Sequence, residues 1–134
     1  MAREAGHHPD RAFIGQDGVL DLFGTQLRDV RLEVDTVAAT GSAQGDAAQL
    51  ASGFSLVTGA DATKGAVLPA AEAGMVAIVK NEDSANAVLP LYPASGDGIN
   101  ALAADASLDM AAKTSVLLVA LDATTWYTLP LLPS

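Results

Sequence analysis

Apolar and polar positions alternate most clearly just past the first quarter of the chain. Leu32, Val34 and Thr36 fall on one side of an extended segment and Arg31, Glu33 and Asp35 on the other, the pattern of a half-buried strand over residues 31–37. Thr40-Gly41-Ser42 ends it. Residues 46–52 form a weaker small-residue strand, residues 54–58 a short strand, and residues 66–68 another that stops at Pro69. Met75 to Lys80 is a continuous apolar run of strand length, which predicts burial on both faces. The turn cluster Asn81 to Asn86 follows it, so the run is expected to enter a hairpin whose returning strand is Ala87 to Tyr92. Pro90 lacks a ladder donor and places that strand at an edge or a bulge. Residues 107–110, 115–121 and 125–129 complete the series, the second of these again reading as fully buried.

Short strands at roughly eight- to twelve-residue spacing, punctuated by Gly, Asp, Asn and Pro, predict an all-β domain, a compact β-sandwich or barrel over residues 31–134. No exact internal repeat is visible. An alanine-rich helical protein is the competing reading, but glycines and prolines interrupt nearly every window long enough for a helix. Residues 1–30 differ. Phe13-Ile14, Val19-Leu20 and Leu22-Phe23 are separated by Gly15, Gly18 and Gly24, and neither a helical period nor strict alternation survives. This stretch reads as an extended N-terminal arm that lies on another surface.

Composition sharpens the division. The 134 residues include 27 alanines and six aromatics, so the core anchors are few and association between copies would supply burial that one chain lacks. All four arginines (Arg3, Arg11, Arg28, Arg31) lie at or before residue 31, while most of the net charge of −9 falls on the β region. That balance argues against nucleic acid and against an anionic membrane, both of which draw on Lys and Arg. The longest apolar run, Val116 to Leu121, is far short of the ~20 residues that span a bilayer. The polar opening MAREAGHHPD is unlike a secretory signal, and with no cysteine there is no disulfide framework or thiolate zinc site.

Catalytic constellations are hard to assemble. His7 and His8 are adjacent and would point apart on an extended chain, a poor metal or acid-base pair. Asp105 and Asp109, Glu82 and Asp83, and Asp97 between glycines occupy positions where carboxylates serve turns or solubility. The loop Gly59 to Gly65 has glycines at both ends, but Lys64 precedes the second instead of following it, as a phosphate loop would require. No catalytic residue, metal site or cofactor is expected. Of the neighbours Trp126 and Tyr127, one ring should plug the core, and alternation alone leaves open which.

The stretch Val57 to Tyr127 resembles a β-rich module of tailed-phage virion proteins, the head decoration and head-fibre proteins in particular. The resemblance rests on VTGADATKGAVLPAAEAG, an apolar strand closed by Asn81, LYPASGDGINAL, the strand VLLVAL and the terminal ATTWYT, in that order over about half the chain. It implies an all-β, trimeric structural protein without catalytic activity. Of the functions open to such a protein, capsid decoration fits this chain best: a homotrimer that binds the major capsid protein on the outer surface of an assembled head, made in the host cytoplasm and retained in the virion. On this reading the arm supplies the capsid contact through Phe13, Ile14, Leu20, Leu22 and Phe23, with Arg11 and Arg28 meeting acidic patches. A receptor- or glycan-binding module of a tail fibre or baseplate is the alternative, and a small depolymerase a more distant one. About 30 residues ahead of the β region extend at most about 100 Å, which suits lying across a shell better than projecting from a tail.

Overall fold

A computed structural model describes residues 18–131 and the backbone of Phe13–Ile14. The chain divides into two compact units, Met1–Arg31 and Leu32–Ser134. In the first, β1 (Phe13–Ile14) and β2 (Leu20–Asp21) pair antiparallel, Phe13 opposite Asp21 and Ile14 opposite Leu20. The glycine-broken stretch thus contains a small hairpin that its sequence pattern conceals.

The second unit is all-β. Its strands are β3 (Val34–Ala38), β4 (Ala48–Gln49), β5 (Gly53–Thr58), β6 (Ala66–Val67), β7 (Val76–Asn81), β8 (Leu89–Tyr92), β9 (Gly98–Ile99), β10 (Leu108–Met110), β11 (Ser115–Ala120) and β12 (Thr125–Leu129). They form a six-stranded sheet, β3-β5-β7-β11-β12-β9, and a four-stranded sheet, β10-β8-β6-β4. From β3 to β8 the chain alternates between the two sheets. Within each sheet the strands of this first half run parallel, Val34 beside Phe54 and Phe54 beside Ile78 in one, Ala48 beside Ala66 and Ala66 beside Leu91 in the other. The winding is that of a short β-solenoid, and the second half closes it with the antiparallel run β7-β11-β12 and the pair β8-β10.

Two expectations are corrected by this path. Residues 75–80 and 87–92 do not make a hairpin: β7 and β8 belong to different sheets, and the cluster Asn81 to Asn86 carries the chain across the core. Nor is β8 an edge strand, since β6 and β10 flank it. Pro90 is accommodated there because the β6 ladder begins one residue later, at Leu91. On the other side it pairs with Asp109, and alternate residues of an antiparallel pair exchange no bonds.

The core lies between the sheets. Val57, Val79, Leu118 and Trp126 face inward from the larger sheet, and Ala66, Leu89, Leu91 and Met110 from the smaller. Trp126 is fully buried and donates its indole N–H to the Pro69 carbonyl at 3.2 Å, while Tyr127 turns to the opposite face. Alanines at 39, 60, 66, 71, 77 and 120 fill the narrow places. Gly65 marks the closest approach: a Cβ there would stand 2.8 Å from both the Pro90 carbonyl oxygen and the Tyr92 ring.

The strand expected at 31–37 also differs in its environment. Leu32, Val34 and Thr36 are exposed, and the partly buried residue of β3 is Val37. As the outermost strand of its sheet, β3 has nothing packed on the face that the alternation assigns to the interior.

Candidate functional surface

The carboxylates that the sequence offers for pairing are each engaged in local hydrogen bonds or ion pairs. The Asp61 carboxylate accepts from the backbone N–H groups of Thr63 and Lys64, both at 3.0 Å, and from the Thr63 hydroxyl at 2.6 Å. These bonds, led by the Thr63 hydroxyl, hold its pKa down to about 2. The Ala62 and Gly65 N–H groups donate to the carbonyls of Val88 and Thr40, so four successive amides of the loop between Gly59 and Gly65 are already engaged. Asp83 closes its own loop by accepting from Ala85 and Ala87. Asp97, buried, accepts the Ala71 N–H at 2.8 Å.

Asp105 joins two loops. It accepts from Gly96 N–H at 2.7 Å and from the Gln44 amide at 3.0 Å, and these two bonds, the first the larger, lower its pKa. Glu82 sits between two ammonium groups, Lys80 at 2.6 Å and Lys113 at 3.2 Å, which lower its pKa in that order. Asp122 caps the β11–β12 turn through Thr124 and Thr125, and the Thr124 N–H bond is the chief cause of its lowered pKa. Asp109 accepts from the Ser107 hydroxyl at 3.3 Å. Among the described residues no group of three or more His, Cys, Asp or Glu is placed to hold a metal ion. His7 and His8 lie outside them.

Among the described residues, shallow grooves large enough for a small molecule lie at two places. One, of about 350 Å³, runs along β10 and the start of β11; the other, of about 390 Å³, lies beside Gln44, Gln49 and Ser95. In the second groove the amides are engaged in holding the fold. Gln44 donates to the Pro93 carbonyl and to Asp105, and Gln49 to the carbonyls of Leu50 and Val67. A binding pocket needs polar groups free to converge on a ligand, and these converge on the protein.

The exposed apolar side chains are more informative. In the N-terminal unit Val19, Leu20, Phe23, Leu27 and Val30 are each at least half exposed, and Leu22 is partly covered. The turn after β2 is built by Asp21, whose carboxylate accepts the Phe23 N–H at 2.7 Å, and by the Thr25 N–H bond to the Leu22 carbonyl at 2.9 Å. Phe23 takes a left-handed φ of 51° there, a conformation a bulky residue rarely adopts. Of the sequence-derived contact residues, Phe13 and Ile14 pair through their backbones with β2, so they share a hairpin with Leu20, and Leu22 and Phe23 follow in its turn. Arg28 is exposed further along. The side chains of Phe13 and Ile14, and all of Arg11, lie outside the described residues.

Sequence reasoning placed Asn81 at the close of an apolar strand but missed the work of its side chain. Its amide is fully buried at the end of β7 and donates to the carbonyls of Ala87 and Met110 at 2.9 and 3.1 Å, while its side-chain oxygen accepts from the Asp83 N–H. Placed in a turn cluster, it reads as a loop residue; its neighbour in sequence order gives no sign of β10. No family model, curated protein or solved structure matches this chain.

Proposed function

We propose that this chain is a non-enzymatic decoration protein of a phage capsid, binding the major capsid protein on the outside of an assembled head as a homotrimer and stabilising the shell. The observation that carries the reading is the N-terminal unit, which leaves Val19, Leu20, Phe23, Leu27 and Val30 at least half exposed. Apolar side chains this exposed are costly to leave in water and gain when a second surface covers them. The all-β second unit, with Asp61, Asp83, Asp97, Asp105 and Asp122 engaged in its loops, supports a structural role over a catalytic one. The resemblance of residues 57–127 to virion modules supports a structural protein of a phage particle, and the N-terminal stretch, suited to lying across a shell, favours the capsid as the surface. A protein that binds the assembled shell and not free subunits stabilises the shell by mass action.

Cosedimentation with purified heads lacking the protein tests this. The full chain should saturate the heads, and both a chain lacking residues 1–30 and the double variant Leu20→Asp/Phe23→Asp should lose at least tenfold in affinity while Trp126 emission stays native. Saturation by the truncated chain would remove the N-terminal contact from the account. Specific glycan binding by the full chain, with heads left bare, would replace decoration with receptor recognition.

A further inference from the structure

The larger sheet has a second face, and it is apolar. Val34, Phe54, Ile78, Leu117 and Leu129 stand side by side across five strands in one register row, on the face turned away from the core. Val34 and Leu129 are 55% and 50% exposed and Phe54 37%, while Ile78 and Leu117 are partly covered by their neighbours. Leu56 extends the patch on one side of this row, and Val76, Val119 and Tyr127 extend it on the other. No outward position of β3, β5, β7, β11 or β12 is a carboxylate, on a chain with 16 of them. The one cation, Lys80, is paired to Glu82 at 2.6 Å.

We infer that this face is where copies of the chain meet, each covering the outer sheet of another. It deepens the oligomer in the proposed function and depends on that reading only for the number of copies. Three observations select a second copy as the occupant. First, Met75 to Val79 and Val116 to Leu121 are continuous apolar runs, as strands covered on both faces are; one chain covers a single face of each. Second, a net charge of −9 makes two copies repel over most of their surface, and the one carboxylate at the margin of this face, Glu82 just past β7, is neutralised by Lys80 and Lys113. Third, the area suffices. Five strands about 4.8 Å apart and about 20 Å long present roughly 500 Å² per copy, so a pair buries about 1,000 Å² in all, where specific association begins. Two twisted sheets packing face to face at about 10 Å is an ordinary solution for such a surface.

The test is the mass of the full chain in solution by sedimentation at micromolar concentration, for wild type, Phe54→Lys, Phe54→Thr and Leu27→Lys. Wild type and Leu27→Lys should give the same mass of three chains; a mass of two that falls to one in the Phe54 variants keeps the interface and overturns the trimer of the proposed function. Phe54→Lys should give the mass of one chain with Trp126 emission unchanged, because an outward lysine can lift its ammonium into water. Should Phe54→Lys fail to fold, the neutral, β-compatible Phe54→Thr decides, with an expected loss of at least tenfold in association. A monomeric wild type overturns both this interface and the oligomer of the proposed function. An oligomeric wild type whose mass survives Phe54→Lys and Phe54→Thr overturns the interface alone. Head binding, measured separately, judges decoration independently of either result.

Discussion

Asn81 shows how a single polar side chain can hold elements that the backbone ladders do not join. It ends β7 in one sheet, and its amide reaches the carbonyl of Met110 at the end of β10 in the other and that of Ala87 in the crossing loop. Its backbone takes part as well, donating to Thr114 and accepting from Lys113. Replacing the side chain leaves the two carbonyls and the Asp83 N–H without their partner in a buried place, and such losses cost about 1–3 kcal/mol per group that water cannot reach. Asn81→Ala should therefore destabilise the fold by roughly 3 kcal/mol. Asn81→Asp should be no better near neutral pH, since a carboxylate would face two carbonyl oxygens. Urea unfolding followed by the emission of Trp126, the one tryptophan in the chain, measures both. An Asn81→Ala midpoint equal to wild type would show that the bonds are dispensable.

At the scale of elements, strand positions were legible and strand partners were not. Alternation and turn residues are local signals, and they located β5, β7, β11 and β12 to within a residue or so. Whether a turn cluster reverses the chain within a sheet or carries it to the facing one depends on what lies across the core, which no short window contains; hence the hairpin assigned to residues 75–92 and the edge or bulge assigned to the strand of Pro90. The solenoid-like winding was hidden because its coils are unequal. The register offset is 20 residues from Val34 to Phe54 and 24 from Phe54 to Ile78, too irregular to show as a repeat. Of the contact residues, the apolar beads near the N-terminus were legible because large side chains among glycines are conspicuous, whereas the outer sheet face was masked by runs that look buried throughout. Close approach of elements is also invisible locally, and glycines test it. Gly65 has an ordinary φ but no room, because β8 passes through the space a Cβ would need, whereas Gly45 has both an ordinary φ and open space. Gly65→Ala should cost about 1–3 kcal/mol through overpacking, and Gly45→Ala should be neutral or stabilising by up to about 1 kcal/mol through the unfolded chain. Thermal melts of the two variants should move apart, and equal melting temperatures would refute the close approach at Gly65.

For the molecule as a whole, acid acts in two opposite directions. With 16 carboxylates against seven Lys and Arg, lowering the pH from 7 toward the pI of about 4.3 removes mutual repulsion within a chain and between copies. Working against this, Asp61, Glu82, Asp105 and Asp122 all have folded-state pKa values below their ordinary ones because each carboxylate is hydrogen-bonded or ion-paired in a loop. A depressed folded pKa stabilises the fold above the unfolded value, about 3.9 for Asp and 4.3 for Glu, and that contribution fades as pH falls through the folded value, about 2 for Asp61. These four hold the loops after β5, β7, β9 and β11, so their protonation loosens the crossings between strands before it touches the core. The melting temperature should stay level or rise from pH 7 to about 4.5, then fall steadily between about pH 4 and 2. Asp61→Asn, which cannot ionise, should lower the melting temperature at pH 7 and flatten part of the acid limb. A melting temperature that falls continuously from pH 7 would mean that some other group governs the acid response, and an Asp61→Asn profile parallel to wild type down to pH 2 would remove Asp61 from it.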